Sequence, residues 1–299
     1  MERRTYGIGL YAPAGFATEP AAVKRAVERL ERAGHRVIVD PTVTGRWQRF
    51  SATDAERLAA VMRMASDPRI ELAVAVRGGY GWSRLLDRID FPALAAAGKR
   101  WLGHSDFTAF QLAALSAAGM VTFAGPLAAY DFGAEAPSEF TLGHCWDLLA
   151  ASEHVARFPV GGPSRFDAEG TLWGGNLSLV AHLAGTRYLP RIAGGILFLE
   201  DVSEHPYRIE RMLYQLHLAG VLGRQQAVLL GEFNGYELSD NDEGYDLQTM
   251  IEHCRSAFQV PIFTGLPFGH CRDKLTLPVG GRCALSVTSG TARLKLSAY

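Results

Sequence analysis

Residues 6–40 read YGIGLYAPAGFATEPAAVKRAVERLERAGHRVIVD, and two periodicities alternate along them. YGIGLYAP is a short β-rich run closed by Pro13 and Gly15. From Glu19 to Ala33 the residues Val23, Val27 and Leu30 recur at helical spacing, and Gly34 stops that segment before the strand-like HRVIVD. Strand, helix and strand in this order predict a βαβ unit, whose two strands run parallel because the helix carries the chain back.

The pattern repeats downstream. Thr53 to Ala65 is helical, with Thr53 and Glu56 spaced as a capping box, and Glu71 to Val76 reads as a strand buried on both faces. RWLGH (100–104) and MVTFAG (120–125) supply further strands. A parallel sheet covered by helices collects ligands at the carboxyl ends of its strands, so the loops there are where chemistry is expected. Between Tyr130 and Asp167 the pattern loosens around a helix TLGHCWDLLAA and ends in FPVGGPSRF, rich in Gly, Pro and Ser. This predicts a first domain over 1–150, a linker over 151–166 and a second domain over 167–299. The second contains GTLWGGNLSLVAHLAG, the apolar strand GGILFLED, the helix YRIERMLYQLHLAG, the strand AVLLGEF and a tail of short strands.

With 299 residues, 48% hydrophobic and 20% charged, the chain has ample apolar material for a core. Thirty basic against 31 acidic side chains leave a net charge of -1, so no bulk field points to nucleic acid or an anionic membrane surface. The start MERRTYGIGLYAPAGF lacks the continuous apolar core of a signal peptide, and no run has the 18 or so apolar residues of a membrane span. Cys145, Cys254, Cys271 and Cys283 form no CxxC pair and read as reduced residues. The expectation is a cytoplasmic protein with no membrane and no nucleic-acid partner.

Four segments could carry chemistry. GHSDFTA (103–109) puts Ser105 at a strand-to-helix turn, where a hydroxyl can project outward and the N–H of Asp106 can face a developing oxyanion. The spacing is not GxSxG, and the alternative reading is that Ser105 or Asp106 simply caps a helix, with Thr108 completing a polar first turn. RGGYGWSRLL (77–86) places Gly78, Gly79 and Gly81 after a buried strand, as an anion nest or simply a tight connection. GGILFLEDVSEHPYRIERML (194–213) sets Glu200 and Asp201 at a strand end, where a carboxylate could orient a histidine, with Glu204, Glu210 and Arg211 farther on. LPFGHCRDKLTLPVGG (266–281) holds His270 in a loop after a glycine, with Cys271 beside it as a rival nucleophile. His104 with Asp106 makes a single HxD pair, and His205 with Glu204 completes no metal set, so neither metal nor cofactor is expected.

Taken in order, APAGF, RGGYGWSRLL, GHSDFTA, TFAGP, GTLWGGNLSLVAHLAGT, ILFLEDVSEHPYRIERMLYQL and LPFGH with TLPVG resemble the LD-carboxypeptidases, serine peptidases that act on murein tetrapeptides. The resemblance runs from residue 12 to Gly280. It implies an α/β fold: a flavodoxin-like parallel-sheet N-terminal domain and a smaller β-rich, swivelling-barrel-like C-terminal domain, often in a homodimer. It also implies a triad in which the G-x-S-D serine is Ser105, the L-E-D glutamate Glu200 and the G-H histidine His270, with Glu204 the competitor for the carboxylate. The backbone N–H groups of Asp106 and Gly79 would hold the oxyanion. The implied substrate is a muropeptide cut between the L-centre of meso-diaminopimelate and terminal D-Ala during peptidoglycan recycling. Arg77 and Arg208 are candidate substrate contacts by charge and place, and Asn176, after the two glycines of WGGN, is a candidate either to bind substrate or to brace the turn. Two other readings are a relative that cleaves aminoacyl nucleotides, as microcin-type immunity peptidases do, and a non-catalytic muropeptide sensor. The first would need an aromatic platform, for which Trp173 and Tyr236 are the conspicuous residues.

Overall fold

The computed structural model describes residues 4–299, so the basic start Met1–Arg3 lies outside the described residues. The first half alternates strands and helices: β1 (Gly7–Tyr11), α1 (Pro20–Arg32), β2 (Arg36–Val39), α2 (Asp54–Ser66), β3 (Leu72–Ala75), α3 (Phe91–Ala96), β4 (Arg100–Gly103), α4 (Phe107–Ala118), β5 (Thr122–Ala124) and α5 (Glu139–Ala150). Local chemistry sets these boundaries. Pro20 opens α1 in the first helical turn, where its missing N–H costs nothing. The Thr53–Glu56 capping box closes both ways at the start of α2, an arrangement whose serine or threonine contributes about 1 kcal/mol. All four residues of β3 are buried, as a strand covered on both faces requires.

The second half comprises β6 (Glu153–Pro159), β7 (Arg165–Asn176), α6 (Leu177–His182), β8 (Ile196–Val202), α7 (Pro206–Leu218), β9 (Ala227–Asn234), α8 (Leu247–Ala257), β10 (Ile262–Thr264), β11 (Leu277–Val279), β12 (Arg282–Thr288) and β13 (Thr291–Ser297). Strands β2-β1-β3-β4-β5 run parallel in that order, the flavodoxin-like arrangement, and β11 adds an antiparallel edge beside β5. A seven-stranded sheet, β10-β9-β8-β7-β12-β13-β6, forms the second, β-rich part. Its β7 is the pivot: Arg165–Thr171 pairs antiparallel with β12, and Leu172–Asn176 pairs parallel with β8.

Two expectations change here. Residues 151–166 are not a structureless linker, because Glu153–Pro159 is a strand whose full length pairs with β13. The tail after AVLLGEF is not all strands either, since α8 lies within it, capped by Asp246, whose side chain accepts from Thr249 N–H. The two halves also share a sheet, since β11 crosses back to the first one. No helix is long and apolar enough to cross a membrane among the described residues.

Candidate active site

The order β2-β1-β3 reverses the direction of strand addition, and a crevice opens at the carboxyl ends of the strands beside that reversal. A cleft of about 600 Å³ lies there, and its walls include Arg77, Gly78, Gly79, His104, Ser105 and His270. Ser105 stands between β4 and α4 with φ +66°, a left-handed backbone that a serine adopts at a cost of about 1–3 kcal/mol. This sharp turn lifts the hydroxyl off the sheet. His270 Nε2 lies 3.0 Å from Ser105 Oγ, although the two residues are 165 positions apart. On the other side of the ring, His270 Nδ1 lies 2.8 Å from Glu200 Oε2. With Nδ1–H donated to the carboxylate, Nε2 presents its lone pair to the serine hydroxyl.

Glu200 is fully buried near the end of β8. Glu204, four positions on, pairs with Arg208 at 3.8 Å instead. The geometry thus separates the two carboxylates that the sequence left in competition. Burial pulls the His270 imidazole down, but the Glu200 hydrogen bond and the charges of Glu200 and Asp201 outweigh it, so the ring titrates above its ordinary value. Burial and the nearby Lys274 and His270 hold His104 well below the histidine range. Its Nδ1 sits 2.8 Å from the Gly125 carbonyl, which makes it a neutral donor there. Cys271 is poorly set as a rival nucleophile: its Sγ lies 3.2 Å from the Asp273 carbonyl, and burial pushes its thiol up to about 11.

The turn after β3 packs onto the serine. A Cβ on Gly78 would lie 2.7 Å from both Cβ and Oγ of Ser105, so only glycine lets the two loops approach this closely. The Asp106 side chain ties them together, its Oδ2 accepting from Trp82 N–H at 3.1 Å. Burial drives that carboxyl up to about 7. The backbone N–H groups of Asp106 and Gly79 donate to no other backbone carbonyl among the described residues, leaving both available to an incoming oxygen.

The three expected substrate contacts separate. Arg77 lines the cleft, donates to the Phe16 carbonyl at 3.0 Å and keeps a buried Nε without a partner. Asn176 has the contacts of the bracing alternative: only 4% exposed, it donates from Nδ2 to Asp201 at 2.8 Å and Glu200 at 3.3 Å. Arg208 lies on α7 against Tyr207 and Glu204 and is not brought to the cleft wall. Trp173 is fully buried, bonded to Gln225 at 2.9 Å, and offers no stacking platform. His205 sits 3.3 Å from Asp242 rather than near His104. Sequence reasoning missed Lys274, which lines the cleft in a buried ion pair with Asp131. Nothing local marks it, since its partner comes from the other half of the chain.

A parallel sheet with a strained serine turn at its switch point, relayed to a histidine and a buried glutamate, defines a serine hydrolase of the α/β class. Known proteins agree. The models of the LD-carboxypeptidase N-terminal and C-terminal domains match residues 8–125 and 169–285. The crystal structure of muramoyltetrapeptide carboxypeptidase from Oxalobacter formigenes superposes with a TM-score of 0.93 at 43% identity over 99% of each chain. The murein tetrapeptide carboxypeptidase of Pseudomonas aeruginosa is 32% identical over 93% of this chain and 92% of its own. The microcin C7 self-immunity protein of Escherichia coli is 25% identical over 93% of this chain and 90% of its own. The chain belongs to the LD-carboxypeptidase family and is a serine-type carboxypeptidase.

Proposed function

We propose that the protein hydrolyses the bond between the L-centre of meso-diaminopimelate and the terminal D-Ala of murein tetrapeptides, with Ser105, His270 and Glu200 as its triad. The observation that carries this reading is the unbroken relay, 3.0 Å from Ser105 to His270 and 2.8 Å from His270 to Glu200, at the floor of the cleft. His270 takes the Ser105 proton as Oγ attacks the scissile carbonyl, and the oxyanion lies between the N–H groups of Asp106 and Gly79. The imidazolium then protonates the leaving amine of D-Ala. Water, deprotonated by His270, hydrolyses the acyl-serine, and the imidazolium returns that proton to Oγ. Glu200 holds the ring and its transient charge throughout.

A carboxypeptidase binds a free carboxylate, and Arg77, a cation in the cleft wall beside the Gly78–Gly79 turn, supports that role. We place the reaction in the cytoplasm, where released wall peptides are recycled, and in a homodimer. Light scattering on the purified protein tests the dimer. The activity test is incubation of wild type and Ser105→Ala with L-Ala-D-Glu-meso-diaminopimelate-D-Ala, its L-Ala-terminated isomer and an aminoacyl nucleotide, read by mass spectrometry. D-Ala release by wild type from the first substrate alone is expected. Hydrolysis of the nucleotide alone would move the protein to the immunity branch, and equal release by the variant would reduce Ser105 to a helix cap.

A further inference from the structure

The relay does not end at Glu200. Its second oxygen, Oε1, accepts from Asn176 Nδ2 at 3.3 Å, and Asn176 stands directly opposite Glu200 in the β7–β8 register. The backbone N–H of Asn176 in turn donates to Thr108 Oγ1 at 3.0 Å. Thr108 lies in the first turn of α4, and its own N–H donates to the Ser105 carbonyl at 2.9 Å. Ser105, His270, Glu200, Asn176 and Thr108 therefore form a closed circuit that leaves the first half of the chain at the serine and returns to it at the threonine.

Contact at the return point is close. Thr108 is 1% exposed, and it packs on Gly175, where φ is +132° and a Cβ would lie 2.4 Å from Thr108 Oγ1. A side chain at 175 would push β7, and Glu200 with it, away from the serine turn. The glycine pair of WGGN thus acquires a reason: it brings the strand beside the carboxylate against the helix that follows the nucleophile.

We propose that Thr108 is a positioning residue: through Asn176 it sets where Glu200, and hence His270, stands relative to Ser105 across the two halves of the molecule. The proposal rests on the triad reading above. Thr108 touches no reacting atom, and the rest of the interface does not depend on it. The β11–β5 pairing, the Ser138–Asp273 and Thr141–Arg272 hydrogen bonds and the buried Lys274–Asp131 pair join the same two halves elsewhere. Removing one hydroxyl should therefore leave the fold and alter the setting of the relay. Small misplacements of a catalytic group cost about a hundredfold in rate.

The test uses the full chain with Thr108→Val, which keeps the shape and loses the acceptor, and Thr108→Ser, which keeps the acceptor. The first readout needs no substrate: titration of the His270 ring followed by NMR. The groups that face the ring, Glu200, Asp201, Lys274 and His104, are present in both variants. In the valine variant the Glu200 contact loosens, and the titration midpoint falls toward that of a free imidazole. In the serine variant it stays at the wild-type value. The second readout is D-Ala release. The valine variant should lose about 10- to 100-fold in kcat with KM within about threefold, the serine variant should stay near wild type, and valine should add nothing to the loss in Glu200→Gln. An unchanged midpoint in Thr108→Val would overturn the proposal, as would a serine variant as impaired as the valine one, or losses that add fully with Glu200→Gln. Failure of the murein reading would appear separately, as absence of D-Ala release by wild type, and the titration would still decide the role of Thr108.

Discussion

The two halves contribute to the cleft in different ways. The first places Ser105 by local means: a four-residue strand, one left-handed residue and a helix that begins within two positions. The second places Glu200 and His270 by distant ones. Glu200 is held by Asn176 from the neighbouring strand, and the His270 carbonyl accepts from Asn234 at 3.0 Å, a residue at the end of β9. A nucleophile needs a sharp, strained turn, which a few consecutive residues can encode. A base and its carboxylate need a defined distance to that nucleophile, which only tertiary packing can supply. Damage to the first half should therefore remove the reacting atom, and damage to the second should misplace or discharge the group that activates it.

The largest effects should come from the ends of the relay. Ser105→Ala and His270→Ala should each reduce kcat by about 10⁴- to 10⁶-fold, and the double variant should be no worse than either, because the groups act as one unit. Full additivity would separate them into independent contributors. Next, Glu200→Gln should cost about 10³- to 10⁴-fold and shift the acid limb of kcat/KM to lower pH. His270 must be neutral to accept the proton, its ring is held above the ordinary value partly by Glu200, and losing that charge lets it deprotonate sooner. A limb that stays in place would show that Glu200 does not govern the ring.

Gly78→Ala tests the local half. Its Cβ would meet Ser105 at 2.7 Å, so the turn must shift, and kcat should fall about a hundredfold with little loss of stability. Wild-type turnover would mean the two loops are free to part. A smaller effect is expected at Asp106, in stability rather than rate. Its carboxyl stands at about 7 in the fold against about 4 in an unfolded chain, so the folded protein holds a proton that the unfolded one has released. Stability on this account falls as pH rises from about 4 to about 7 and is level beyond. Asp106→Asn keeps an oxygen for Trp82 N–H and cannot ionise, so its melting temperature should exceed that of wild type at pH 8 and approach it toward pH 4. The smallest change should follow Cys271→Ser, with activity within about threefold, since that thiol is protonated at neutral pH.

Much of the local half could be read directly from the chain. The Thr53–Glu56 box, the helical spacing of Val23, Val27 and Leu30 and the apolar run of β3 are short-range signals, and the structure carries each of them. Strand β6 was illegible because its partner β13 lies more than a hundred residues later, and a strand flanked by Gly and Pro reads locally as a linker. Helix α8 follows an acidic loop whose last aspartate, Asp246, is its cap, so the start signal merged with its surroundings. The same division holds at the site. Ser105, Glu200 and His270 stood out by motif and by family resemblance. Arg208 was picked by charge and proximity in sequence, which do not say which face of α7 a side chain occupies. Asn176, Thr108 and the Lys274–Asp131 pair take their meaning from contacts between the halves, which no single segment contains.

In the proposed reaction a base from the second half activates a serine from the first. A fluorophosphonate that reacts only with activated serines, followed by intact-mass and peptide mass spectrometry across pH, tests it without reference to any substrate. One adduct is predicted, on Ser105, forming with a rate that rises through a single titration above the ordinary histidine value of about 6.5 and falling by at least about 10³-fold in His270→Gln. Labelling at another residue, or at Ser105 with the same rate in His270→Gln, would contradict the account.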